Sequence, residues 1–213
     1  MKNRVLWVAA VLLIGFMACG QGYAQDVVNL LANGGFETGA IGPFGMYGPG
    51  TNEVVTNCVG AAVPEGPIEG TYCLHIVIPA AGANNWDSGM TDGSHTFEAG
   101  KKYTFSAFVK CKSGTLQIRL KPERGADPWE GYGDQVFTMT DTWQEFSVTT
   151  PVFAATVTPA SPTFHFAFAA GDFWIDNVRF YEGDYVAPGS VKAHDPVPED
   201  GAAYANTWAN LTW

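Results

Sequence analysis

Two tryptophans and a tyrosine stand in settings unlike a core strand. Trp86 lies in Asn84-Asn85-Trp86-Asp87, while Trp129 and Tyr132 lie in Asp127-Pro128-Trp129-Glu130-Gly131-Tyr132-Gly133. An exposed aromatic ring offers a large contact area at low conformational cost, so the chemistry suggested is recognition. Gln117 and Arg119 alternate with Leu116, Ile118 and Leu120 and would add an amide and a forked guanidinium, with His75 and Glu123 near them in strand order. The competing readings are edge aromatics that cover a core and an internal ion pair for Arg119. Bond-breaking chemistry has less to build on. Glu123, Glu130, Asp134 and Glu145 supply carboxylates, yet their spacing singles out no acid and base. No G-x-S-x-G, H-E-x-x-H or Cys/His nucleophile arrangement occurs. His165 stands alone, and a lone histidine is more often a satisfied structural group than a base.

Strands must hold these residues. From 25 to 180, short apolar or alternating runs are broken by Gly, Pro, Asn and Asp, with no helical period beyond about two turns. Strands are expected over 72–78, 102–110, 115–121, 135–140, 144–150, 163–169 and 173–181, which predicts an all-β sandwich. Tyr72, Leu74, Ile76 and Ile78 share one face, as do Leu116, Ile118 and Leu120, and Phe164, Phe166 and Phe168. The opposite faces are mixed: His75 beside Cys73 and Val77; Gln117, Arg119 and Lys121; His165 beside Ala167 and Ala169. They form either a shallow polar platform or a plain solvated surface. Trp174, alternating with Ile175, is expected in the core, and Phe44 and Tyr47 in a Gly/Pro loop walling a cleft.

Residues 1–24 read as a secretory signal peptide. Lys2 and Arg4 precede an apolar run of about fourteen residues, closed by Gly20, Gly22 and Ala24, and that run is too short to span a bilayer comfortably. Cleavage after Ala24 leaves no integral membrane segment and predicts a secreted or cell-surface protein, extracellular or periplasmic. A lipoprotein attachment at Cys19 is the rival, with the bulky Phe16 against it. The formal charge is -10, and losing Lys2 and Arg4 leaves nine basic against twenty-one acidic residues. That balance argues against nucleic acid and suits a neutral partner. Cys58, Cys73 and Cys111 lack zinc-like spacing. Cys58–Cys73 is the expected disulfide, because Cys58 leads into the strand of Cys73, and Cys73–Cys111 is the rival. The binding module is bounded at 25–186. A Gly/Pro-rich linker covers 187–199, and 200–213 resembles the opening of a second, fibronectin type III-like β-domain, too short to close. Further domains of the parent chain are expected.

Asn29-Leu30-Leu31-Ala32-Asn33-Gly34-Gly35-Phe36-Glu37 and Phe173-Trp174-Ile175-Asp176-Asn177-Val178-Arg179-Phe180 form a pairing that resembles the CenC-type carbohydrate-binding modules of families 4, 9, 16 and 22. The likeness runs from about 26 to 182. It includes, in order, Glu69-Gly70-Thr71-Tyr72-Cys73-Leu74-His75-Ile76, Ala99-Gly100-Lys101-Lys102-Tyr103-Thr104-Phe105-Ser106-Ala107-Phe108 and Thr142-Trp143-Gln144-Glu145-Phe146. The resemblance implies a galactose-binding-like jelly-roll β-sandwich. It implies a structural Ca²⁺ between the first and last strands, with Glu37 and Asp176 matching the acidic ligands and Gly-rich turns adding carbonyls. Turn capping by these two carboxylates is the alternative. It also implies sugar binding by stacking of Trp86, Trp129 and Tyr132 on pyranose C–H faces, with Arg119 and Gln117 on hydroxyls, and places Trp143 inward. The expected function is a secreted, non-catalytic module that binds a neutral polysaccharide or oligosaccharide and targets a larger extracellular protein. A structural or adhesive spacer, or the binding part of a glycoside hydrolase whose activity lies elsewhere in the parent, are the alternatives.

Overall fold

The computed structural model describes residues 27–188. The signal peptide expected over 1–24, the linker beyond 188 and the second-domain segment 200–213 lie outside the described residues. Eleven strands follow in order: β1 (Gly45–Tyr47), β2 (Thr51–Val55), β3 (Cys73–Ile78), β4 (Gly89–Thr91), β5 (His95–Phe97), β6 (Tyr103–Cys111), β7 (Leu116–Arg124), β8 (Gln135–Met139), β9 (Gln144–Thr149), β10 (Val157–His165) and β11 (Gly171–Glu182). They pair antiparallel into a six-stranded sheet, β1-β4-β10-β7-β8 with β5 also on β10, and a five-stranded sheet, β2-β3-β11-β6-β9. The architecture is the jelly-roll sandwich.

Period-two alternation explains the core. Ile118 and Leu120 of β7, Phe164 of β10 and Met90 of β4 point inward and meet Leu74, Ile76, Phe105, Phe173 and Phe180 of the other sheet, all buried. Phe105 and Phe164 pack edge to face with centroids 4.7 Å apart. Each buried ring of this kind contributes roughly 1.5–3 kcal/mol of transfer free energy.

The strand expected over 163–169 runs instead over Val157–His165. Its early half is disguised by Pro159 and Pro162, residues that argue against a strand. Pro159 sits where the β5 pairing shifts register, and Pro162 lies opposite Pro122. Phe168 and Ala169 therefore belong to the turn after β10, not to its faces.

The two segments that carry the family likeness are docked on each other. Asn29 donates to the Val178 carbonyl (2.9 Å) and accepts from the Phe180 N–H (2.9 Å), and the Val178 N–H donates to the Gly34 carbonyl (2.9 Å). A methyl group at Gly34 would overlap the Val178 carbonyl oxygen. Gly34→Ala is expected to lower the unfolding free energy by about 2–4 kcal/mol in a urea titration, because the clamp must open to relieve the overlap.

Candidate functional site

The outer face of the six-stranded sheet carries a cleft of about 670 Å³. Strand register builds its floor in rows. Tyr47 lies opposite Gly89, which lies opposite His165. Beside them Thr91, Thr163 and Lys121 are cross-strand neighbours, and then Ser161 and Glu123. Gly89 is required here, since any side chain would strike the Tyr47 ring lying over it.

Both Trp86 and Trp129 line this cleft. Trp86 is carried by a single 3-10 turn, Asn85–Asp87, closed by the Asn84 N–H on the Asp87 carboxylate (2.9 Å). The turn is pinned to the end of β10: the Ala167 N–H donates to the Asn85 carbonyl (3.1 Å), and His165 Nδ1 meets the Asn85 side-chain oxygen (3.2 Å). Trp129 comes from the loop after β7 and has φ +55, a left-handed conformation that costs a non-glycine residue roughly 1–3 kcal/mol. Three bonds hold it there. Its N–H donates to the Ala126 carbonyl (2.8 Å), its carbonyl accepts from Lys121 Nζ (2.7 Å), and the Tyr132 N–H donates to the Pro122 carbonyl (2.8 Å). Trp86 is 53% and Trp129 54% exposed, so roughly half of each large ring system remains uncovered by the module itself.

The floor is polar without a free charge. Lys121 and Glu123, both nearly buried, pair at 2.5 Å. Burial, helped by the charges of Lys121 and Arg119 and opposed by Asp134, pushes His165 down to about 4. Burial and the Glu123 carboxylate push the Tyr47 phenol above its ordinary value. Near neutral pH both are uncharged: His165 donates through Nδ1 to Asn85 and keeps Nε2 as an acceptor.

Below pH 6.5 an unfolded chain takes up a proton that the fold refuses until about pH 4, so His165 subtracts stability as pH falls through that window. Asp176 acts the other way: burial, against its backbone N–H bonds, raises its carboxyl to about 6, so its contribution is lost as pH rises. The difference between parent and His165→Gln isolates the histidine. Unfolding free energies at pH 7 and pH 4.5 should show the parent losing about 2–3 kcal/mol relative to the variant.

The structure does not gather the other expected contacts. Tyr132 packs edge-on against Phe97 (5.9 Å) and Phe153 (4.9 Å), with its hydroxyl donating to Glu130 (3.0 Å). It supports the Trp129 loop from the core side. Arg119 is in the His165 row, yet its guanidinium is engaged by Asp134 (Nε at 2.8 Å), and Gln117 is exposed opposite Thr138, outside the cleft. His75 belongs to the five-stranded sheet, stacked 4.7 Å from the Trp174 ring, so no single polar platform joins it to Arg119. Phe44 is core, whereas Tyr47 does line the cleft. Thr91 and Ser161, not among the expected contacts, and Lys121, expected only on the mixed outer face of its strand, also line the cleft. The alternation of Ser161, Thr163 and His165 was the available signal, hidden by the misplaced start of β10.

Trp143 is half-buried against the cluster of Cys58, Ala61, Cys73 and Trp174, and its Nε1 donates to the Gly66 carbonyl (3.0 Å). Glu37 accepts the N–H groups of Thr71 (3.0 Å) and Tyr72 (3.0 Å), while the buried Asp176 accepts those of Ile68 (2.6 Å), Glu69 (3.0 Å) and Asn177 (2.6 Å). Among the described residues no group of three or more His, Cys, Asp and Glu gathers, so a calcium ion here would draw its remaining oxygens from backbone carbonyls and water. Glu37 and Asp176 are the carboxylates that would hold the structural Ca²⁺ that the family resemblance implies. They anchor the 68–72 segment, where Gly70, at φ +64, passes directly over the Glu37 carboxylate.

A jelly-roll sandwich whose one sheet supplies polar floor residues to an aromatic-lined cleft is the design of a carbohydrate-binding β-module. Residues 28–170 match the family model described as Carbohydrate binding domain, and the chain belongs to that family. In fold it is similar to the CBM22-1 xylan-binding domain from Paenibacillus barcinonensis Xyn10C, at 14% identity over 71% of this chain and 93% of that one, with a TM-score of 0.50. It is also similar to TmCBM61 in complex with beta-1,4-galactotriose (19% identity, 73% and 99% covered, TM-score 0.50). A third is the C-terminal family 22 carbohydrate-binding module of Clostridium thermocellum Xyn10B (17% identity, 74% and 98% covered, TM-score 0.50). At these identities the likeness speaks to the fold. No curated protein matches the chain in sequence. Among the described residues no helix is long and apolar enough to cross a membrane.

Proposed function

We propose that this chain is an exported, non-catalytic module that binds a neutral polysaccharide or oligosaccharide in the cleft of the six-stranded sheet. Trp86 and Trp129 stack on pyranose faces, and the hydroxyls of Tyr47, Thr91 and Ser161 together with His165 Nε2 meet sugar hydroxyls. The carrying observation is the convergence of two half-exposed tryptophans on one cleft whose floor is uncharged or internally paired. A glycan face is apolar at its C–H groups and polar at its rim, which is what such a surface complements. Lys121 supports Trp129 through its carbonyl and is neutralised by Glu123, so neither charge selects for an ionic ligand.

The non-catalytic reading is supported by the carboxylates. Among the described residues Glu123 is the one carboxylate lining the cleft, and it is held by Lys121, whereas hydrolysis by retention or inversion uses two carboxylates about 5 to 9.5 Å apart. The neighbours described as xylan-binding or complexed with beta-1,4-galactotriose make β-linked neutral glycans the first ligands to try. A glycan array probed with the folded protein should light up neutral β-linked chains, with no new reducing ends after overnight incubation. An array without signal would leave a structural spacer as the better reading.

A further inference from the structure

On the sheet opposite the cleft, Cys58 and Cys73 lie together under the loop that joins β2 to β3. Cys73 opens β3 and faces outward, opposite Val55, and Cys58 lies in the loop, its N–H bonded to the Glu65 carbonyl (3.0 Å). They are 1% and 0% exposed and share one small apolar cluster with Ala61 and Trp174. Both are free thiols, and each lies in the other's immediate surroundings within that cluster. Cys111 is on the wrong side of the sheet to compete: it lies opposite Phe173 in the core between the sheets, its thiol turned to the carbonyls of Ser113 (3.5 Å) and Met139 (3.8 Å).

We propose that Cys58 and Cys73 form a disulfide that staples the 58–73 loop to the five-stranded sheet. The environment suits the chemistry. The Cys73 thiol, and more weakly the Lys110 ammonium, hold the Cys58 thiol below its ordinary range despite burial, whereas Cys73 is raised. Lys110 is itself fixed under the loop by the Val63 carbonyl (2.6 Å) and Glu65 (2.7 Å).

Cys58, which lies in the loop rather than in the strand, is the thiol that reaches solvent when the loop lifts from the sheet, and it attacks as the thiolate. It displaces one thiolate from a small-molecule disulfide of the oxidised-glutathione class and leaves a mixed disulfide on Cys58. Cys73, losing its proton, then attacks the Cys58 sulfur and releases the second small thiol. Two electrons and two protons pass to the small disulfide, which leaves as two thiols. An oxidising compartment favours this outcome, though the pairing itself rests on geometry and not on export or on sugar binding.

The bond would lock a segment that also holds Asp176 and Trp143. A loop of this length, crosslinked, should raise the melting temperature by about 5–10 °C for a module of this size. The purified chain is incubated with oxidised glutathione, denatured, alkylated without reductant and mapped by mass spectrometry. Cys58 and Cys73 peptides should be found linked, with Cys111 alkylated. Reductant should lower the melting temperature, and Cys58→Ser/Cys73→Ser should melt at the lower value with or without it. Alkylated Cys58 and Cys73 in the oxidised sample, or a link from either to Cys111, would overturn the pairing. Because the mapping needs neither ligand nor variant, its failure would leave the glycan-binding reading untouched.

Discussion

Trp86→Ala and Trp129→Ala are each expected to weaken glycan binding about thirty-fold or more, while leaving the melting temperature within a few degrees of the parent. Central aromatic anchors commonly carry about 2 kcal/mol or more of binding free energy, and that loss corresponds to the fold-change. The stability change is small because each ring is about half exposed and lies outside the core cluster. Affinity electrophoresis in gels containing a bound glycan separates the two effects. Of the two, Trp129 carries an extra feature. Its strained backbone is held by Lys121 and the 125–131 loop, so its ring is positioned before ligand arrives and less ordering cost is left for binding.

Asp176→Ala should be the most damaging single change to the fold, lowering the unfolding free energy by about 3–5 kcal/mol. Three backbone N–H groups converge on this buried carboxylate, and each buried donor left without an acceptor costs about 1–3 kcal/mol. The same experiment addresses calcium. With hydrogen-bonded anchoring, the parent melts at one temperature with calcium or with EDTA. A bound cation would instead raise the calcium-loaded transition by mass action, and Asp176→Ala would abolish the rise. A calcium-dependent rise that Asp176→Ala abolishes is the expected result, and equal melting temperatures with calcium and EDTA would contradict the site.

The sandwich was legible because Leu74, Ile76, Ile118 and Leu120 alternate cleanly with polar neighbours, and because the segments at 29–37 and 173–180 resemble paired elements that do meet in space. Strands of three residues such as β1 and β4 are shorter than any period, so the Tyr47 and Thr91 positions could not be read from pattern. Trp86 and Trp129 were legible as aromatics among polar residues. Tyr132, three residues on from Trp129, stands in a similar setting, and only the bridge of Gly131 to Glu123, the bend at 132–133 and the packing against Phe97 and Phe153 decide that it faces the core. Arg119 shows the same limit. Its parity places it on the outer face correctly, but the Asp134 that occupies it comes from beyond the Trp129 loop.

Isothermal titration calorimetry of the folded protein with xylan, mixed-linkage β-glucan and cello-oligosaccharides tests the central claim most directly. The expected result is exothermic, saturable binding to at least one neutral glycan, with an affinity unchanged between low and high salt because no counterions are released. Absence of heat with every neutral glycan, or binding that vanishes on adding salt, would contradict a neutral polysaccharide in the Trp86/Trp129 cleft.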